Sequence, residues 1–278
     1  MPNPASLWAT LDNGLVFYSS DGGSTWSDVT PQASWRAEAA WGRTGGLNEG
    51  PPPASVLSVV HSLANGITQV ALSTDQGRTW RISVLPSVEA GNMPELPGNA
   101  SFVNEDDGWI LLGPQGDEPN VTEDVYHTTD GGAVWRYEST VRYSSGPVEF
   151  MSTKVGFVGS AAPNHVFETT DGGVSWQELS LPAPADDKYP LVQDQVPVFT
   201  DAERGFLVSM WNEVDGNPNR AGWYMDETSD GGATWTDVAL PPVGMPFAWS
   251  VVSSQDWFWA GPDAVMHTTD GGRTWATV

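Results

Sequence analysis

Cysteine is absent from this 278-residue chain, and lysine and arginine are scarce beside aspartate and glutamate. Without cysteine there is no disulfide, no thiol nucleophile and no thiolate ligand for a metal. The 35 acidic and 11 basic residues give a formal charge of −24, which disfavours nucleic acid and anionic membrane surfaces as partners. No apolar run reaches the roughly 18 residues of a membrane span. These absences predict an acidic globular protein with no nucleic-acid partner and no membrane insertion.

Glycine, proline and tryptophan are abundant, with 30, 22 and 15 copies. Glycine and proline at this frequency are typical of many tight turns between short strands. The tryptophan count predicts that one structural position is repeated along the chain.

Six eight-residue segments share one pattern: a hydroxyl residue, any residue, Asp, two glycines, any residue, a hydroxyl residue and Trp. Their aspartates are 40 to 59 residues apart. We name them box 1 to box 6, in chain order 19–26, 73–80, 128–135, 169–176, 228–235 and 268–275.

Each box has the chemistry of a tight hairpin between two strands. The Asp carboxylate can accept bonds from the backbone amides that follow it, and the glycines allow positive φ. The Trp covers the hairpin and offers its N–H as a donor. Gln76 removes one position suited to positive φ and Val134 removes one hydroxyl, without breaking the pattern. The predicted structural residues are Asp21, Asp75, Asp130, Asp171, Asp230, Asp270, Trp26, Trp80, Trp135, Trp176, Trp235 and Trp275.

These segments resemble the Asp-box, or BNR, repeat found in sialidases, xyloglucan-cleaving glycosidases, sortilin-type receptors and photosystem II assembly factors. The resemblance covers nearly the whole chain and implies a β-propeller. Because those proteins have unrelated functions, it indicates the fold more strongly than the activity.

The segments before each box predict two short strands, as in Glu149–Met151 followed by Gly156–Gly159. With the box strand and the strand after the Trp, each repeat predicts a blade of four antiparallel strands. We therefore expect residues 1–278 to form a single all-β domain, a six-bladed β-propeller. Only two strands precede box 1, so either that blade has three strands or the sequence is shortened. The first residues lack the features of a signal peptide, which we expect to be absent or already removed.

The long insertions are predicted at the end of the blades opposite the boxes, at 86–99, 114–122, 181–196 and 211–222. Long loops on a rigid scaffold often carry binding residues, although acidic loops also serve solubility alone. Glu89 and Glu95 lie in the first insertion. The candidate ligand-binding residues in the others are Asp117, Glu118, Asp186, Asp187, Tyr189, Asp194, Trp211, Glu213, Asp215 and Arg220.

The residues do not support a sialidase. That resemblance implies an arginine cluster and a Phe/Tyr-Arg-Ile-Pro motif before the first box. Here the nearest string, Arg81-Ile82-Ser83, follows box 2, and Arg78, Arg136 and Arg273 lie at or beside boxes. Another glycosidase needs a carboxylate pair roughly 5–10 Å apart, which 35 acids supply easily. The xyloglucan-cleaving relatives, however, pair two propellers, and this chain has one.

The histidines give no metal signal. His127 and His267 occupy the same position, three residues before the box Asp, where other repeats have Tyr, Leu or Glu. We interpret them as structural, and we predict no metal site, no cofactor and no catalytic residue.

The sequence favours a non-catalytic, extracellular or periplasmic scaffold, a monomer that binds a protein or carbohydrate ligand through the long loops. Similarity to the photosystem assembly factors implies docking onto a protein, but those relatives have Arg-rich surfaces and this chain is acidic. The alternative is a sialidase-like or xyloglucanase-like glycoside hydrolase with a carboxylate pair on the same face. Adaptation to high salt would explain the charge without indicating a partner.

Overall fold

A computed structural model gives the structure of the chain, which is all-β. No helix among the described residues is both long and apolar enough to cross a membrane. The structure describes residues 7–10, 15–21, 23–31, 43–44, 48–49, 56–62, 67–85, 100–113, 122–142, 144–160, 165–180, 196–211, 222–238, 248–251, 253–261 and 263–278.

The described strands form six antiparallel sheets, numbered here in chain order. Sheet 1 contains β1 (Leu7–Thr10), β2 (Val16–Ser19) and β3 (Ser27–Asp28). Sheet 2 contains β4 (Arg43–Thr44), β5 (Asn48–Glu49), β6 (Leu57–Ser62), β7 (Thr68–Ser73) and β8 (Arg81–Val84). Sheet 3 contains β9 (Ala100–Phe102), β10 (Asp107–Leu112), β11 (Thr122–Thr129) and β12 (Arg136–Arg142).

The remaining three sheets each have four strands in sequential order. Sheet 4 contains β13 (Ser144–Phe150), β14 (Gly156–Ser160), β15 (His165–Thr169) and β16 (Gln177–Ser180). Sheet 5 contains β17 (Val198–Phe199), β18 (Gly205–Trp211), β19 (Gly222–Thr228) and β20 (Thr236–Val238). Sheet 6 contains β21 (Ala248–Val251), β22 (Trp257–Ala260), β23 (Val265–Thr268) and β24 (Ala276–Thr277). Four-stranded antiparallel sheets thus confirm the predicted blade pattern, and sheet 1 has three described strands.

The chain divides into two compact units, 1–156 with 169–176, and 157–168 with 177–278. In unit 1, a core between sheets 2 and 3 joins Val60 and Val70 to Ile110 and Leu112, all nearly inaccessible to solvent. In unit 2, Phe206 and Met225 pack with Trp257 and Trp259. Each core therefore forms where one sheet lies face to face with the next.

Every box closes a turn between the last two strands of its sheet through its own side chains. In box 1 the Ser19 hydroxyl donates to Asp21 Oδ1 (2.8 Å) and accepts from the Gly23 amide (2.8 Å). Asp21 Oδ1 accepts from the Thr25 amide (2.9 Å), and Oδ2 accepts from the Thr25 hydroxyl (2.7 Å). The same four bonds recur in boxes 2, 4, 5 and 6. This network confirms the hairpin predicted for each box.

The described glycines of the boxes have positive φ, as their positions require; Gly131 and Gly132, for example, have φ of 64° and 75°. The expectation that Gln76 removes one positive φ from box 2 was wrong, because Gln76 itself has φ of 64°. Left-handed backbone costs a residue with a Cβ roughly 1–2 kcal/mol. The hydrogen bonds on both sides of Gln76 therefore impose the conformation.

In sheets 3 to 6, the box turn lies beside the turn between the first and second strands of the sheet. The amide of the first box glycine donates to a carbonyl of that turn: Gly131 to Asp106 (3.0 Å) in sheet 3, and Gly231 to Glu203 (2.8 Å) in sheet 5. Equivalent bonds occur at Gly172 and Gly271. The other end of these sheets therefore carries the remaining connections, as the sequence predicted.

Three of the four box tryptophans of unit 1 also join neighbouring sheets. Trp80 Nε1 donates to the Val29 carbonyl (2.8 Å), Trp135 Nε1 to Ser83 Oγ (3.0 Å) and Trp176 Nε1 to Ser139 Oγ (3.2 Å). Each acceptor belongs to the last strand of the preceding sheet or directly follows it. The tryptophan thus ties its box to another sheet as well as covering its own hairpin.

Box 3 offers a test of the network, because Val134 stands where the other boxes have a hydroxyl. Val134→Thr should add the missing bond to Asp130 Oδ2 and raise Tm by about 1–3 °C. Thermal unfolding measures the change. The matched control is Val174→Thr. Val174 is also an exposed box valine, but at its position no box carboxylate accepts a side-chain hydrogen bond. An equal rise in Tm there would contradict the role assigned to the bond with Asp130.

Candidate functional site

The long insertions follow strand ends that lie opposite the boxes. In sheet 3, residues 86–99 precede β9 and residues 114–121 connect β10 to β11. In sheet 5, residues 181–195 precede β17 and residues 212–221 connect β18 to β19. Because neighbouring strands are antiparallel, both connections of each pair meet the same end of their sheet.

The sequence-predicted binding residues lie almost entirely outside the described residues, so their roles stay predictions. Trp211 is the last residue of β18, and only its backbone is described. The others outside the described residues are Glu89, Glu95, Asp117, Glu118, Asp186, Asp187, Tyr189, Asp194, Glu213, Asp215 and Arg220.

A polar strip of three residues on β11 and β12, which runs from beside box 3 towards the loop end of sheet 3, was missed by the sequence analysis. Asp124 Oδ1 accepts from the Thr140 hydroxyl (2.7 Å), and Thr140 Oγ1 and the Tyr137 hydroxyl form a bond of 2.8 Å. Tyr137 is 56% exposed. An exposed ring with a fixed hydroxyl suits contact with a peptide or sugar. The three residues become neighbours only through the β11–β12 register, which the sequence pattern does not give.

The box aspartates are engaged in structure. Hydrogen bonds from Thr25 and Ser19 hold the pKa of Asp21 at about 2. The Thr79 and Thr274 hydroxyls and amides, with smaller contributions from Ser73 and Thr268, do the same for Asp75 and Asp270. These carboxylates stay ionised and already accept several bonds, so they suit a turn rather than proton transfer.

His127 lies in an aromatic stack between two acidic side chains. Its ring is parallel to Trp109 at a centroid distance of 4.3 Å, and Trp109 stacks on Phe150 at 3.8 Å. Asp107 is 3.7 Å from Nε2, and Glu138 is 3.9 Å from Nδ1. A bulge in β12 opposite Val125 and Tyr126 leaves Glu138 unpaired in the register. Burial lowers the pKa of His127, although both carboxylates oppose the shift.

The same position pairs a basic with an acidic residue in two other sheets. In sheet 6, His267 Nε2 is 2.7 Å from Asp256 Oδ1, and its ring stacks on Phe258. In sheet 5 the acid occupies this position instead: Glu227 Oε1 is 3.5 Å from Arg204 Nε. This recurrence supports the structural interpretation of both histidines. Among the described residues, no group of three or more His, Cys, Asp or Glu side chains is placed to hold a metal ion.

Asp226 is the exception among the described acids, because it is buried, with 4% of its surface exposed. It lies in β19 directly opposite Asp237 of β20. Burial, and then the neighbouring charge of Asp237, raise its pKa to about 7. A carboxyl group with such a pKa is a candidate for proton-linked behaviour. The sequence carried the signal, since the other five repeats have Phe17, Ala71, Tyr126, Phe167 and Met266 at this position.

No protein-family model matches the chain, and no curated protein matches it. Solved structures do. YCF48 bound to a D1 peptide has a TM-score of 0.62 at 14% identity, over 98% of this chain and 78% of YCF48. The GH74 xyloglucanase from Xanthomonas campestris has a TM-score of 0.60 at 17% identity, over 99% of this chain and 43% of the enzyme. Penicillium chrysogenum α-L-arabinanase, complexed with arabinobiose, has a TM-score of 0.56 at 13% identity, over 84% of this chain and 79% of the arabinanase.

The fold is that of a β-propeller. At these identities the likeness concerns the fold alone, and it confirms the predicted similarity to photosystem II assembly-factor-like propellers. The neighbours differ in function: one is bound to a peptide, and others are glycoside-cleaving enzymes.

The lowered pKa of the box aspartates predicts how stability depends on acid. Their contribution to the free energy of unfolding is complete above pH 3.8, the pKa in the unfolded chain, and is lost as the pH falls towards about 2. Urea midpoints measured across this range should therefore fall on acidification. The Asp75→Asn protein should be less stable at neutral pH. Its free energy of unfolding should fall less on acidification, because one of the titrating carboxylates has been removed. An acid dependence identical to that of the unsubstituted protein would contradict the structural role.

Proposed function

We propose that the protein is a non-catalytic binding scaffold, a monomeric six-bladed β-propeller in which each box marks one blade. Its ligand is a protein segment or a carbohydrate, bound at the loop end of the sheets, and its location is extracytoplasmic.

The observation that carries this proposal is the strip formed by Tyr137, Thr140 and Asp124. It presents an exposed aromatic ring on β12, and its Asp124–Thr140 pair lies near the sheet end where two long connections meet. At the opposite end, the box aspartates are occupied by turn hydrogen bonds. The two ends therefore suit different tasks, binding at one and folding at the other.

Ligand-bound neighbours support both ligand classes, since YCF48 holds a D1 peptide and the arabinanase holds arabinobiose. The chain spans 78% of YCF48 and 43% of the GH74 enzyme. The acidic charge of −24 favours a ligand without strong negative charge.

A glycoside hydrolase remains the second candidate, favoured by the GH74 and arabinanase neighbours. It requires a carboxylate pair roughly 5–10 Å apart across a sugar. Such a pair would come from the acidic residues of the long insertions, with the strip serving to position the substrate.

The first experiment screens the intact protein against arrays of synthetic peptides and oligosaccharides, followed by mass spectrometry of every glycan that binds. Binding without cleavage is the expected result. Cleavage products would overturn the scaffold in favour of the hydrolase.

Affinity measurements on the hits then locate the site. Tyr137→Ala should weaken binding by about tenfold, because a central aromatic contact is lost. Val84→Ala is the matched control, since Val84 is also 56% exposed and also lies on the last strand of its sheet. Equal affinities of the Tyr137→Ala and unsubstituted proteins would show that the ligand binds elsewhere.

A further inference from the structure

The repeats provide an internal comparison for Asp226. The residue four before the box Asp lies in the strand that leads into the box, next to the last strand of each sheet. In five repeats it is Phe17, Ala71, Tyr126, Phe167 or Met266. All but Phe17 are buried. Only sheet 5 has an acid there. Asp226 therefore occupies a position whose packing otherwise requires an uncharged side chain.

The neighbours of Asp226 disfavour its ionised form. Leu207 of β18, which is buried, and Asp237 of β20 lie directly opposite it on the two flanking strands. Residues so paired present their side chains on the same face of the sheet, with Cβ atoms roughly 5 Å apart. Within the described part of the chain, no hydrogen bond to the Asp226 carboxyl group is found. A charge there loses hydration and faces a second carboxylate.

The charged side chains next to Asp226 do not offset a negative charge on its carboxyl group. Glu227, next in β19, points to the opposite face of the sheet, where it pairs with Arg204. Asp237 is thus the titratable side chain that faces Asp226 from the paired strands. A proton on Asp226 removes both penalties at once.

The strand opposite Asp226 is weakly held. β20 has three residues and is the last strand of its sheet. Trp235, directly before it, is 9% exposed, and its buried indole N–H has no acceptor among the described residues. In unit 1, Trp135 and Trp176 have such acceptors in Ser83 and Ser139. An outer strand without this tie is suited to open locally.

We propose that Asp226 is a proton-dependent latch for β20: protonated, it allows β20 to pair with β19, and ionised, it releases β20 together with Trp235. The sign follows from the raised pKa of Asp226, about 7 in the folded protein against 3.8 in the unfolded chain. Stability contributed by the proton is complete below the unfolded pKa of 3.8 and is lost as the pH rises from there to about 7. The latch is therefore closed under acidic conditions and open under alkaline ones.

Hydrogen exchange of the whole protein, read by mass spectrometry on peptides from 222–238, tests the latch between about pH 5 and about pH 9. Comparing variants at the same pH cancels the intrinsic pH dependence of exchange. At the alkaline end, the unsubstituted protein should exchange about tenfold faster in this segment than Asp226→Asn, and this difference should narrow towards the acidic end. Peptides from 122–142, where Tyr126 holds the equivalent position, should not differ.

Two further variants keep the test decisive. Asp226→Met copies the residue of sheet 6 and should stay protected at every pH, even if the asparagine variant folds poorly. Asp237→Asn keeps the buried carboxyl group, removes its charged neighbour and should give an intermediate loss of protection. The proposal is overturned if exchange in 222–238 of the unsubstituted protein, corrected for intrinsic rates, does not change with pH. It is equally overturned if Asp226→Asn and Asp226→Met follow the unsubstituted protein.

Discussion

The structure depends on one hydrogen bond, which an aspartate carboxylate accepts from the backbone amide four residues later. In box 1 that bond joins Asp21 to the amide of Thr25 at 2.9 Å, and the five other boxes repeat it. Once the carboxylate is fixed, the described glycines that follow the aspartate adopt positive φ. In sheets 3 to 6 the box turn then closes beside the turn between the first two strands. The Trp that ends the box is then directed, in unit 1, to the preceding sheet. One short polar network thus shapes a hairpin and orients the side chain that joins it to a neighbour.

This use of aspartate changes how the acidic composition is interpreted. A chain with 35 acids suggests catalytic pairs or metal sites. Yet the box aspartates hold turns, Asp256 contacts His267, and Glu227 contacts Arg204. The box carboxylates are already occupied by hydrogen bonds, and the fold loses stability when they are protonated. Asp226 differs, because its environment favours the neutral form. The same side chain therefore has two opposite pH dependences in one fold, set by hydrogen bonding in one case and by burial in the other.

Local features were predictable from the sequence because they repeat. The six boxes, the strands around them and the end at which the box turns lie follow from spacing and turn chemistry. Features that depend on strand register were not predictable: the link from Trp135 to Ser83, the bulge at Glu138, and the strip ending at Tyr137. Gln76 shows a second limit, since residue preference predicted the wrong φ where the surrounding bonds decide it. For the candidate site, the sequence placed the long insertions at strand ends away from the boxes, and the roles of their residues stay predictions.

The central claim is that boxes 2, 3 and 4 stabilise the fold by joining their hairpins to another sheet. A double-mutant cycle of Trp135→Phe and Ser83→Ala tests it directly, because the two groups are 3.0 Å apart and belong to different sheets. The account predicts a coupling of about 1 kcal/mol in the free energy of unfolding, the net value of a partly buried hydrogen bond. Strictly additive effects would contradict it, and would mean that the tryptophan contributes only the apolar surface it buries.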